Sequence, residues 1–124
     1  MPGSRGYPET YPKTFPKAVR MRRRREFLAL QRHGRRQHTR CFVVVQAPAE
    51  GPVSRLGVTV SSRVGNAVVR NRVKRLIREI FRQRRLMLPT ALDIVVIARP
   101  DAAQITHAQA ASELERALGV ASRP

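Results

Sequence analysis

The stretch from Val64 to Arg85 limits what this chain can become more than any other. It reads Val-Gly-Asn-Ala-Val-Val-Arg-Asn-Arg-Val-Lys-Arg-Leu-Ile-Arg-Glu-Ile-Phe-Arg-Gln-Arg-Arg, with eight basic residues, one acid and no proline. Turned at about 100° per residue from Val69, it places Val73, Leu76, Ile77 and Ile80 on one side, with Phe81 at that side's edge. Arg70, Asn71, Lys74, Arg75, Arg78 and Arg82 fall on the other. The spacing predicts a helix with one face for a protein core and one for a polyanion. Asn66 is the expected N-cap, with Gly65 giving a sharp entry.

The net charge of +17 on 124 residues supports the polyanion. A compact domain so basic repels itself until an anion neutralises it. Nucleic acid is the expected partner, and an acidic membrane surface the lesser alternative. The apolar runs fall far short of the roughly 20 residues a membrane span needs. The N-terminus lacks the apolar segment of a secretory signal. Cys41 stands alone, which excludes a disulfide framework and a thiolate metal cluster. These features predict a cytoplasmic protein with no membrane role.

Charge is uneven along the chain. Residues 1–40 carry +10, residues 41–100 carry +8 and residues 101–124 carry −1, so the binding surface belongs to particular elements. Residues 1–19 form a basic tail with three aromatic-Pro tetrads that begin at Tyr7, Tyr11 and Phe15. Prolines at this spacing exclude a helix, and the tail is expected to be disordered. The domain is expected over 20–120, with 121–124 a short C-terminal tail. A short helix is expected from Glu26 to a stop at Gly34, with Phe27 and Leu30 sharing a face. Residues 35–40 read as a polar basic loop. Cys41–Ala47 reads as a strand, Pro48–Pro52 as a hairpin-like turn, and Arg55–Ser61 as a half-covered strand. Asp93–Ala98 reads as a continuous apolar strand. Thr106 and Gln109 fit a capping box for a last helix that Gly119 stops. The order α-β-β-α-β-α gives an α+β, two-layer sandwich. The strand at 56–61, the basic helix and the strand at 93–98 are candidates for a βαβ unit.

No catalytic constellation emerges. His33, His38 and His107 are scattered. A protein nuclease wants paired carboxylates holding metals about 4 Å apart, or a histidine pair for acid–base work. The eight acids include no such grouping, so no catalytic and no metal residues are assigned. Glu79 reads as an intrahelical partner of Arg75 or Arg82, and Asp93 as a turn residue. The glycines are too isolated for a phosphate-binding loop of the Walker type, which leaves no small-molecule substrate. The residues alone point to a nucleic-acid-binding module. Its arginines spread over well over 100° of the helix, which suits a folded RNA better than one straight DNA groove.

The run Arg55-Leu56-Gly57-Val58-Thr59-Val60-Ser61-Ser62-Arg63-Val64-Gly65-Asn66-Ala67-Val68-Val69-Arg70-Asn71-Arg72-Val73-Lys74-Arg75-Leu76-Ile77-Arg78-Glu79 resembles the signature of the bacterial ribonuclease P protein component, with Arg70-Asn71-Arg72 as its RNR motif. Glu26-Phe27, His33-Gly34, Phe42-Val43-Val44 and Asp93–Arg99 match in order, over about residues 20–119. The resemblance implies a sandwich like the second domain of a small-subunit ribosomal protein, with a left-handed βαβ crossover against the usual rule. It implies an endoribonuclease in which a catalytic RNA uses Mg²⁺, bound mainly by that RNA, to remove the 5′ leader of precursor tRNA. The protein would be the subunit that binds the RNA and the leader. Arg63, Asn66, Arg70, Asn71, Arg72, Lys74, Arg75 and Arg78 would hold the catalytic RNA. Arg24, Arg25, Phe27, Arg32, Arg40 and Phe42 would line a leader cleft between the first helix and the sheet. Where the family often has further aromatics, this chain has Gln31 and Val45. The rival expectations are a ribosomal-type RNA-binding protein and a DNA-binding domain.

Overall fold

The computed structural model describes residues 24–120; the tail at 1–19 and residues 20–23 and 121–124 lie outside the described residues. The elements are α1 (Arg24–His33), β1 (Arg35–His38), β2 (Phe42–Pro48), β3 (Arg55–Thr59), α2 (Ala67–Arg84), β4 (Leu92–Ala98) and α3 (His107–Leu118), with 3-10 turns at Arg85–Met87 and Pro100–Gln104. The architecture is α+β. The four-stranded sheet has the order β1-β2-β4-β3. β2 pairs antiparallel with β1 and β4, while β3 lies parallel to β4.

Two sequence expectations are corrected here. Residues 35–38 are a strand and not a loop. Arg35-Arg36-Gln37-His38 has no apolar alternation because β1 is an edge strand, held by backbone pairing with Val43 to Gln46. Residues 48–52 do not close a hairpin between β2 and β3, because β4 inserts between them and pairs with both. The expected βαβ unit is present as β3, α2 and β4.

Strand alternation divides the core. Phe42 and Val44 of β2, Leu56 of β3, and Ile94, Val96 and Ala98 of β4 face α2 and α3, together with buried Val73, Ile77, Ile80 and Phe81 of α2. The expected apolar face of α2 is thus the buried one, with Val69 and Leu76 packed at its margin. Val45 and Val95 point the other way and are covered by Leu30 of α1. The two layers therefore gain a partial third, since α1 crosses the sheet face opposite α2 and α3. Contact there is close. A Cβ on Gly34 would come within 2.6 Å of both Leu30 O and Val45 Cγ1.

The helix ends follow their local chemistry. Asn66 Oδ1 accepts from Val69 N at 3.0 Å and caps α2. Thr106 and Gln109 form the capping box of α3, and Gly119 closes that helix in the left-handed region at φ 72°.

Candidate nucleic-acid interface

The polar side of α2 is one half of the site. Asn71 and Arg75 are exposed, and Arg70, Lys74 and Arg78 are half-buried. Just ahead of them lies a turn in which Val64 N donates to Ser61 O at 3.1 Å and Ser61 Oγ accepts from Arg63 N at 3.3 Å. Arg63 and Asn66 are exposed there, beside the positive end of the helix dipole. The one acid of this helix sits in its second half. Glu79 accepts from Arg82 Nη2 at 2.5 Å and from Gln83 Nε2 at 2.9 Å. The Arg82 hydrogen bonds, opposed by burial, hold its carboxyl below the usual carboxylate range. The surface from Arg63 to Arg78 therefore contains no acid to neutralise it.

One member of that set faces the protein. Arg72 Nη2 donates to the carbonyls of Ala103 at 2.9 Å and Ile105 at 3.2 Å. It ties α2 to the 3-10 turn at Pro100–Gln104, so part of its hydrogen-bonding capacity serves the fold.

The second half is the α1 side of the sheet. Arg24, Arg25 and Arg32 are exposed along α1. The side chain of Phe27 lies outside what is described. Arg40 is exposed in the β1–β2 turn, with Asp101 a loose partner at 3.8 Å. It sits at the far end of β1 from α1, roughly 13 Å along a four-residue strand, so the leader candidates do not form one cluster. Phe42 is corrected: it is fully buried in the main core, on the sheet face away from α1, and offers no ring to a nucleotide.

The structure also shows residues that the sequence reading left without a role. Arg55 Nε and Nη2 donate to Asp93 Oδ1 and Oδ2 at 3.1 and 3.0 Å, and Nη1 donates to Glu26 Oε2 at 3.0 Å. Asp93 is thus a β4 residue gripping β3. Its hydrogen bond, helped by that of Glu26, pushes the Arg55 pKa upward against burial. Glu26, Glu50 and Asp93, together with Ala29, Leu30 and His33, line a groove on one flank of α1. Arg55 lines the same groove and pairs with two of these carboxylates, which leaves that flank without the net positive charge that phosphate needs. On α3, Glu113 Oε1 accepts from Thr39 Oγ1 at 2.6 Å and Cys41 N at 3.0 Å and so anchors the β1–β2 turn. Burial works against its charge, but these bonds prevail and hold its carboxyl low. Burial first, then Glu113, pushes the Cys41 thiol up to about 11.

Among the described residues no three His, Cys, Asp or Glu come together as metal ligands, and no helix is long and apolar enough to cross a membrane. The interface can bind and position.

The family model for ribonuclease P matches residues 15–122. The chain belongs to the ribonuclease P protein family. It is 52% identical over 83 residues to the ribonuclease P protein component of Desulfatibacillum aliphaticivorans, covering 67% of this chain and 70% of that one. It is 43% identical to that of Desulforapulum autotrophicum, covering 90% and 89%. The fold is similar to the ribonuclease P protein of Staphylococcus aureus, with a TM-score of 0.76, 38% identity and coverage of 83% and 94%. It is also similar to that of Thermotoga maritima in complex with a fluorophenyl thiourea, with a TM-score of 0.73, 33% identity and coverage of 79% and 95%.

Proposed function

We propose that this chain is the protein subunit that binds the catalytic RNA of ribonuclease P and guides the 5′ leader of precursor tRNA, in the cytoplasm. The observation that carries this reading is the division of α2. Val73, Ile77 and Ile80 are buried, while the surface from Arg63 to Arg78 presents charge with no acid among it. A rigid helix of this kind can neutralise phosphates brought close by RNA folding, and each neutralised phosphate releases counterions. The leader runs along the α1 side of the sheet, on the flank away from Glu26, Glu50 and Asp93. Arg24, Arg25 and Arg32 supply charge there, and Arg40 stands apart at the far end of β1. Mg²⁺ is held mainly by the RNA in this reading; among the described residues no three His, Cys, Asp or Glu come together as metal ligands. The protein acts by binding, orientation and charge neutralisation.

Adding the purified chain to the catalytic RNA and precursor tRNA at low Mg²⁺ tests this. The expected result is faster cleavage at the mature 5′ end, with the gain falling steeply as salt rises. Tight RNA binding with no gain in cleavage would make the chain a binding protein of another assembly. Displacement of RNA by duplex DNA at equal salt would make it a DNA-binding domain.

A further inference from the structure

The edge strand β1 was not anticipated, and one of its side chains is built into the α1 side of the sheet. Arg36 is paired in register with Val45. Paired residues share a face, and Val45 lies beneath Leu30 of α1, so Arg36 stands on the α1 side. Its Nη2 donates to the Gln31 carbonyl at 3.2 Å. That carbonyl belongs to the last turn of α1, where backbone acceptors lack intrahelical partners and the dipole is negative. The guanidinium is therefore held at the helix end while the residue remains exposed. His38, two positions on, faces the same way beside Val43 and is exposed too. Next to them the sheet floor is only half-covered, at Val43, Ile97 and Thr59.

Single-stranded RNA needs planar groups on which its unpaired bases can stack. Among the described side chains, no aromatic ring reaches this floor, because Phe42 and Phe81 both lie in the main core. Unstacked bases are held by aromatic rings or by the planes of arginine guanidinium groups. A guanidinium that is fixed by one hydrogen bond and open on its outer side meets that requirement at low ordering cost. A free surface arginine would have to be ordered first.

We propose that Arg36 is a specificity-determining residue for the leader, and that its guanidinium plane stacks on a base of the single-stranded 5′ leader where that strand crosses β1. This rests on the leader reading above. The ligand is an unpaired nucleobase, and the remaining N–H groups of Arg36 are free to meet the adjoining phosphate.

The test uses the holoenzyme reconstituted from the full chain and the catalytic RNA. Affinities are measured for precursor tRNA, for mature tRNA, and for precursor tRNAs with a single abasic site stepped along the leader. Arg36→Ala is expected to weaken precursor binding about tenfold, the scale of one stacked base, and to leave mature tRNA binding unchanged. One abasic position should weaken the unaltered protein similarly and have no further effect on Arg36→Ala. Arg36→Tyr should retain most of the affinity, and Arg36→Lys should lose it. Rescue by lysine would reduce the contact to a point charge on phosphate and overturn the stacking proposal. Equal losses on precursor and mature tRNA would overturn it as well, and circular dichroism would show whether lost folding is the cause. If the unaltered holoenzyme binds both tRNAs equally, the leader reading itself fails. If it prefers precursor and Arg36→Ala keeps that preference, only the Arg36 proposal fails.

Discussion

Arg55→Met removes a guanidinium that joins three elements while keeping most of the side-chain volume. Three charge-assisted hydrogen bonds are lost, two to Asp93 and one to Glu26. Exposed ion pairs contribute about 0–1 kcal/mol. Removing one partner of a fully buried pair costs about 3–5 kcal/mol, because a buried charge is left behind. Side-chain exposures of 30% for Arg55, 28% for Glu26 and 14% for Asp93 place this cluster between those limits. The expected cost is about 2–3 kcal/mol, which lowers Tm by roughly 10–20 °C in a domain of this size. Asp93 is the more buried partner and receives a two-point grip, so it carries the larger share. Double-mutant cycles with Asp93→Asn and Glu26→Gln, read by urea denaturation, should give the greater coupling for Asp93. Glu26→Gln alone should release the start of α1 and weaken leader discrimination while the sheet stays folded. A cost below about 0.5 kcal/mol for Arg55→Met, or a greater coupling to Glu26, would refute this account of the cluster.

Reversing charge at Arg70 and Lys74 together should weaken RNA binding and flatten its salt dependence without unfolding the domain; loss of the folded circular dichroism signal would show that these residues support the core. Arg72→Ala should lower stability by about 1–2 kcal/mol, because the Ala103 and Ile105 carbonyls lose their donor, and thermal melts of the free protein would detect it. Glu113 has a pKa held below its ordinary 4.5. Its contribution is therefore fully present above pH 4.5 and is lost as pH falls through the lowered value. Urea midpoints measured down an acid series should decline less steeply in Glu113→Gln.

What could be read from the sequence follows a physical divide. The helix α2 repeats its apolar residues at helical spacing, so its buried face was legible from Val69 onward. The Asn66 cap and the Thr106–Gln109 box were legible because each acts within four residues. The strand β1 was not, since an edge strand with solvent on both sides needs no apolar alternation. Arg36 looked like loop charge for the same reason. The Arg55 cluster joins residues 38 and 29 positions apart, and local pattern carries no information at that separation. Arg72 sits inside the RNR motif, and only the packed position of the 3-10 turn at Pro100–Gln104 reveals that its side chain turns toward protein. Phe42 was placed on the correct strand but was expected in the leader cleft, whereas it points to the sheet face opposite Val45. Its complete burial required knowing how α2 and α3 close over that face.

The sheet order has a consequence for how the chain is made. β2 and β3 are not paired with each other; β4 joins them, with Arg55 meeting Asp93 across 38 positions. A chain leaving the ribosome can therefore pair β2 with β1, but it carries β3 and one open edge of β2, with its most basic helix, until residues 92–98 emerge. The sheet then closes in one cooperative step dominated by non-local contacts, the slow kind. During that interval the cationic segments repel one another, which restrains the aggregation that unpaired strand edges invite. The charge that suits this protein to RNA thus also protects it while it waits for its central strand.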